Sequence, residues 1–144
     1  MENWQIFTDP RFLLQFRYPT VTPQGNMVEL QEEQTSDLAR VHLISRDSQE
    51  VYFEVRRYRD LLPQEEYQRH TTYLEQRLEL EGFTITGLID HAVGASPAHQ
   101  YSFQWDDQQR VAILIQQEHF TYRIIYDPVS PINLQILSTV KLIA

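Results

Sequence analysis

The stretch that most restricts the fold runs from Tyr101 to Tyr126, YSFQWDDQQRVAILIQQEHFTYRIIY. Side chains alternate faces along a strand, so Tyr101, Phe103 and Trp105 share one side. Val111, Ile113 and Ile115 form a second such block, and Phe120, Tyr122, Ile124 and Tyr126 a third. Three blocks in succession predict a three-stranded antiparallel meander. Cross-strand neighbours share a face, so the loops must have the parity that brings apolar rows together. An odd loop at Asp107-Gln108-Gln109 would set Trp105 opposite Val111, Phe103 opposite Ile113 and Tyr101 opposite Ile115. An even loop at Glu118-His119, or one of four residues, would set Ile115 opposite Tyr122 and Ile113 opposite Ile124. Ala112, Leu114 and Ile125 occupy the alternate positions, so the second face also needs cover. A sheet apolar on both sides predicts helices on both.

The flanking segments extend that sheet. Phe12, Leu14 and Phe16 alternate with Leu13, Gln15 and Arg17 until Tyr18-Pro19, where proline ends the ladder. Met27 to Leu30 reads as a short edge strand, and Gln31 to Asp37 as a polar connection. Ala39, Val41 and Leu43 mark another strand, followed after a turn at 46–49 by Val51, Phe53 and Val55, with Tyr52, Glu54 and Arg56 on the reverse side. The charged run Arg56 to Asp60 reads as an exit to solvent. Tyr67, Thr71, Leu74 and Leu78 recur at helical spacing, and Pro63 and Gly82 bracket a main helix over Pro63 to Leu80. Phe83 to Val93 predicts a further strand, joined by a five-residue loop at 94–98, which would put His91 opposite Tyr101, Ile89 opposite Phe103 and Gly87 opposite Trp105. Ser130 as N-cap with Pro131 after it predicts a second helix that buries Leu134, Leu137 and Val140. The reading is α+β: one domain over 1–144, with a central antiparallel sheet of about six or seven strands and helices on both faces, an α/β/α sandwich.

Composition narrows the function classes. A net charge of −8 repels a phosphate backbone, so nucleic acid is not an expected partner. The absence of cysteine removes disulfides, thiolate metal sites and thiol nucleophiles. No apolar run reaches the roughly 20 residues of a membrane span, and MENWQIF is no signal sequence, so a cytoplasmic location is expected.

The order of parts resembles the PsbP-like superfamily. The likeness rests on FTDPRFLLQFRYP, with Phe16, Tyr18 and Pro19; on GFTITGLIDHAVGASPAHQYSFQW, with Gly94, Pro97, Ala98 and Tyr101; and on the terminal INLQILSTVKLI. That group includes the extrinsic photosystem II protein, bacterial relatives and a Ran-binding nuclear-import factor of the same fold. The resemblance implies a central antiparallel sheet flanked by helices and an accessory or assembly role.

Candidate chemistry is sparse. The five histidines show no HExxH or HxH spacing, and Asp106-Asp107 and Ser96 lack the surroundings of a glycosidase pair or a nucleophile elbow. No catalytic residue, metal ligand or cofactor is expected. Under the register above, His91 and His99 flank the 94–98 loop as diagonal neighbours on one face, and with Tyr101 they form the candidate ligand-binding residues. The expected function is a noncatalytic interaction or assembly-accessory module with a protein partner. The alternative is a small-ligand-binding protein or cryptic enzyme with its site near the 94–98 loop.

Overall fold

The computed structural model describes residues 4–9, 14–34, 38–45, 50–58, 84–93, 96–105, 108–116 and 121–142; within 84–99, and at Leu38, Tyr58, Tyr101, Phe103, Trp105, Leu114, Gln116, Thr121 and Leu142, it describes the backbone alone. The strands are β1 (Trp4–Asp9), β2 (Leu14–Pro19), β3 (Val28–Gln34), β4 (Leu38–Ser45), β5 (Tyr52–Tyr58), β6 (Thr84–Val93), β7 (Ser96–Trp105), β8 (Gln108–Gln116), β9 (Thr121–Tyr126) and β10 (Lys141–Leu142). One helix, α1 (Pro131–Ser138), precedes β10. Seven strands form an antiparallel sheet in the order β3-β4-β5-β9-β8-β7-β6, and β1-β2-β10 form a second sheet.

The expected α/β/α sandwich with helices on both faces is overturned. Among the described residues the chain is mostly strand with one eight-residue helix. A second sheet, assisted by α1, packs on one face of the large one. The N-terminal strands bring Phe7, Leu14 and Phe16 against β4, β5, β8 and β9, where Val41, Leu43, Phe53, Val55, Ile113 and Ile124 are buried. The Phe16 ring stands 5.5 Å from that of Phe53 and 5.0 Å from that of Phe7, so the rings join the two sheets. The expected main helix over 63–80 lies outside the described residues.

Local pattern and structure agree where one face is apolar and the other is not. In β5, Phe53 and Val55 have no exposed surface and Val51 just before it has 2 %, on the face the alternation assigned to them. The β8–β9 register is also as expected, with Ile113 opposite Ile124 and Ile115 opposite Tyr122. The edge strand expected near Met27 exists, but it continues through Gln34 instead of giving way to a polar connection at Gln31. At its start the turn closes on Gly25, whose φ of +88° suits a residue without Cβ, and Asn26 donates to Glu50 at 2.7 Å.

Register departs from expectation at β7. Two residues separate Trp105 from Gln108, so Trp105 pairs with Gln108, Phe103 with Arg110 and Tyr101 with Ala112. The odd loop had placed each of their partners three residues further along β8. Val111, Ala112 and Ile113 are all buried in succession, so β8 is apolar on both faces and alternation alone cannot choose between the two registers. The β6–β7 connection likewise spans two residues instead of five, and a bulge between Ile85 and Gly87 shifts the ladder. Gly87 therefore pairs with Ser102, not Trp105.

Helix α1 starts where Ser130 and Pro131 predict, although the Ser130 hydroxyl makes no capping bond. It buries Ile132, Asn133 and Ile136 instead of Leu134, which is 46 % exposed. An eight-residue helix is too short to hold itself. Asn133 fixes it: its carbonyl accepts from the Tyr52 N–H at 3.2 Å, and its amide donates to the Asp127 and Glu50 carbonyls. The hydroxyl of Thr139 then accepts from the Arg17 N–H at 2.8 Å and leads the chain into β10.

Candidate functional site

The histidines singled out by the sequence fall on β6 and β7. His91 pairs with Ala98 and His99 pairs with Asp90, so the backbone register sets them in adjacent rows of the pleat. Adjacent rows belong to opposite faces, which replaces the expected diagonal neighbours on one face. Tyr101 pairs with Leu88 on one side and Ala112 on the other. The structure does not bring the three together on one surface.

Two other places have functional geometry. The first is the free edge of the large sheet. Among the described residues β3 pairs with β4 alone, and Gln31, Glu32, Glu33 and Gln34 are exposed. Beside this edge lies a cleft of about 220 Å³ where β1 approaches β3 and β4. Phe7, Ala39 and Val41 are its apolar lining, Asp9, Glu32 and Glu33 its acidic lining, and Gln34 and Arg40 complete it, so three carboxylates face one guanidinium.

The second is on the outer face of the same sheet. Arg40, Arg56 and Arg123 are direct cross-strand partners on β4, β5 and β9. They converge on Glu54, whose side chain is only 3 % exposed: Arg56 at 2.6 Å, Arg40 at 3.2 Å and Arg123 at 4.0 Å. Glu33 reaches Arg40 at 3.6 Å from an exposed position. His42 sits beside Arg40, with Nδ1 3.4 Å from a guanidinium nitrogen. A guanidinium only donates, so Nδ1 accepts and the imidazole is neutral, with its proton on Nε2. Burial, followed by the Arg40 charge, pushes the His42 pKa down in agreement with that assignment. Nearby, Arg110 lies 4.6 Å over the Tyr52 ring and pairs with Asp127 at 3.4 Å.

Sequence reasoning missed this cluster because it depends on pairing. Glu54 and Arg56 were legible as the reverse face of β5, but the run after Arg56 read as an exit to solvent. β5 runs to Tyr58, as the strand expected over Val51 to Tyr58 does, but Arg56 is tied to Glu54. Arg40 and Arg123 come from strands far away in the chain. A polar alternation on three apolar-faced strands was the available signal.

Among the described residues, no group of three or more His, Asp or Glu side chains could hold a metal ion, and no helix is long and apolar enough to cross a membrane. Among the described residues the architecture is an antiparallel two-sheet β fold with one short helix. The solution structure of cyanobacterial PsbP (CyanoP) from Synechocystis superposes with a TM-score of 0.68 at 8 % identity, covering 99 % of this chain and 94 % of that one. A crystal structure from Bacteroides thetaiotaomicron superposes with a TM-score of 0.53 at 10 % identity, covering 97 % of this chain and 48 % of that one. This chain has the PsbP-like fold, and identities this low concern the fold alone. No family model and no curated protein sequence matches it.

Proposed function

We propose that this chain is a noncatalytic interaction module that takes a basic, extended segment of a protein partner as an added strand on β3. The observation that supports the reading is the outer edge of β3 over Leu30 to Gln34, where no further strand is added among the described residues and Gln31 to Gln34 are exposed. An added strand gains main-chain hydrogen bonds from such an edge and specificity from pockets beside it. The neighbouring cleft, with its apolar lining and its acidic Asp9, Glu32 and Glu33, favours lysine or arginine next to an apolar residue. The acidic residues also discourage this chain from pairing with its own copies, a common protection of exposed edges. An accessory role of this kind agrees with a fold shared with cyanobacterial PsbP.

Zero-length carboxyl-to-lysine cross-linking in a lysate of the source cells tests the reading. The expected result is one stoichiometric partner, with its cross-links on Glu29, Glu32 and Glu33. The double variant Glu32→Lys and Gln34→Lys, at two exposed positions, should weaken capture at least tenfold and remove the steep salt dependence. A partner captured equally by that variant, or cross-links confined to other faces, would refute the edge as the docking surface.

A further inference from the structure

Only alternate residues of β3 can hydrogen-bond outward, and the bonds at its start show which ones. Along a strand, one residue turns its N–H and C=O to one neighbour, and the next residue turns them to the other. The Val28 N–H points away from β4 and donates to the Thr20 carbonyl at 2.9 Å. Its cross-strand partner Ser45 turns away from β3 in the same manner, and its N–H donates to the Val51 carbonyl at 3.2 Å. The β3–β4 register then runs without interruption to Gln34. Leu30, Glu32 and Gln34 therefore share the phase of Val28 and direct their main-chain groups outward, where no strand is added among the described residues. Glu29, Gln31 and Glu33 direct theirs to β4.

The side chains of the same three residues share one face. Leu30 stands opposite Leu43, Glu32 opposite Val41 and Gln34 opposite Ala39, and all three partners belong to the buried inner face. Burial, followed by the charge of Glu32, pushes the Tyr18 hydroxyl up, which places the Glu32 carboxylate on the side of the second sheet. Glu33 has the other parity, and its carboxylate meets Arg40 at 3.6 Å. On β3, Glu32 is thus the carboxylate that an incoming strand meets on the cleft side, two residues from the half-buried Leu30. The bond from Val28 to Thr20 closes the edge before Leu30, so the open window is Leu30 to Gln34.

Resting on the reading of β3 as a docking edge, we propose that the partner segment runs antiparallel to β3 and carries a lysine or arginine two residues before an apolar residue. The cation lies opposite Glu32 and the apolar side chain opposite Leu30, both as hydrogen-bonded pairs on the cleft side. Every pair of neighbours in the large sheet is antiparallel, and an antiparallel addition exchanges both main-chain bonds at each outward residue. A parallel strand would require the reverse order, apolar residue first. The intervening residue faces the other side, beside Gln31, and its identity is free.

Titration followed by amide NMR of the isotope-labelled full chain tests this, with two end-capped threonine-rich peptides of equal composition. One contains Lys-Thr-Val and the other Val-Thr-Lys. The first should bind about fivefold more tightly, the scale of one exposed ion pair. It should also protect the Leu30, Glu32 and Gln34 amides from hydrogen exchange and leave those of Gln31 and Glu33 as they were. Glu32→Gln, at an exposed position, should keep the melt of the wild type and lose the preference between the peptides. Equal affinity for the two orders, or new protection at Gln31 and Glu33 instead, would overturn the proposal and leave the docking edge standing. No saturable binding of either peptide would overturn the proposal alone if the cellular partner still cross-links at Glu32, and the docking edge with it if the partner does not.

Discussion

The two faces of the seven-stranded sheet solve opposite problems, and β4, β5 and β9 contribute to both. On the inner face, Val41, Phe53, Val55, Ile113 and Ile124 are buried against β1, β2 and α1, and any apolar residue of suitable volume would serve. On the outer face the alternate residues of β4, β5 and β9 are Arg40, His42, Glu54, Arg56 and Arg123, and their identities matter more than their volumes. The inner face tolerates error because hydrophobic burial is non-directional. The outer face does not, because a nearly buried carboxylate depends on named partners at hydrogen-bonding distance.

Substitutions can break this contrast or sharpen it. The largest effect is expected from Phe53→Ala, which empties the centre of the inner face beside Phe16; the cost should be about 4 kcal/mol in a denaturant titration. A cost near 1 kcal/mol would mean that the sheets do not rely on each other. Next comes Glu54→Gln, which preserves shape but leaves the arginines without their buried counter-charge. Removing one member of a buried ion cluster should cost roughly 3 kcal/mol. If Glu54→Gln melts like the wild type, the outer face is better solvated than its exposure indicates.

Asn133→Ala tests the latch between the faces, because its three hydrogen bonds tie α1 to the start of β5 and the end of β9. The expected loss is about 2 kcal/mol, with α1 amides losing hydrogen-exchange protection first. Last is the alkaline limit. Burial pushes the Tyr122 hydroxyl up to about 12 from its usual 10. The unfolded chain ionises first, so stability is intact below pH 10 and declines between pH 10 and 12 as the unfolded state loses protons. Tyr122→Phe should flatten that decline in a pH series of melts, and an unchanged slope would assign the decline to other tyrosines. Tyr52 and Tyr126, also raised by burial, shift in the same direction.

How much of this was legible depends on how far each property reaches along the chain. Alternation in β5 identified both of its faces, because Phe53 and Glu54 are assigned by their neighbours in sequence. The β8–β9 register was legible because one pairing alone brings Ile113 and Ile124 together. At β7 the same reasoning failed: with both faces of β8 buried, the three-residue shift, which reverses the parity, exposes little and leaves little pattern to detect. A separate shift, in the β6–β7 ladder with its two-residue connection, put His91 and His99 in adjacent rows. In α1 the expected stripe was displaced, because the Asn133 latch and the burial of Ile132 and Ile136 fixed the rotation of the helix.

Period-two patterning along each segment therefore determined, from sequence alone, that this chain forms a predominantly antiparallel sheet with an apolar side, since that property is local to each strand. Only the tertiary structure decided which strands became neighbours, that the helix-flanked sandwich gives way to a second sheet, and that Arg40, Arg56 and Arg123 meet at Glu54. Strand pairing between distant segments is settled by the summed packing of the whole sheet, and no single segment encodes that sum.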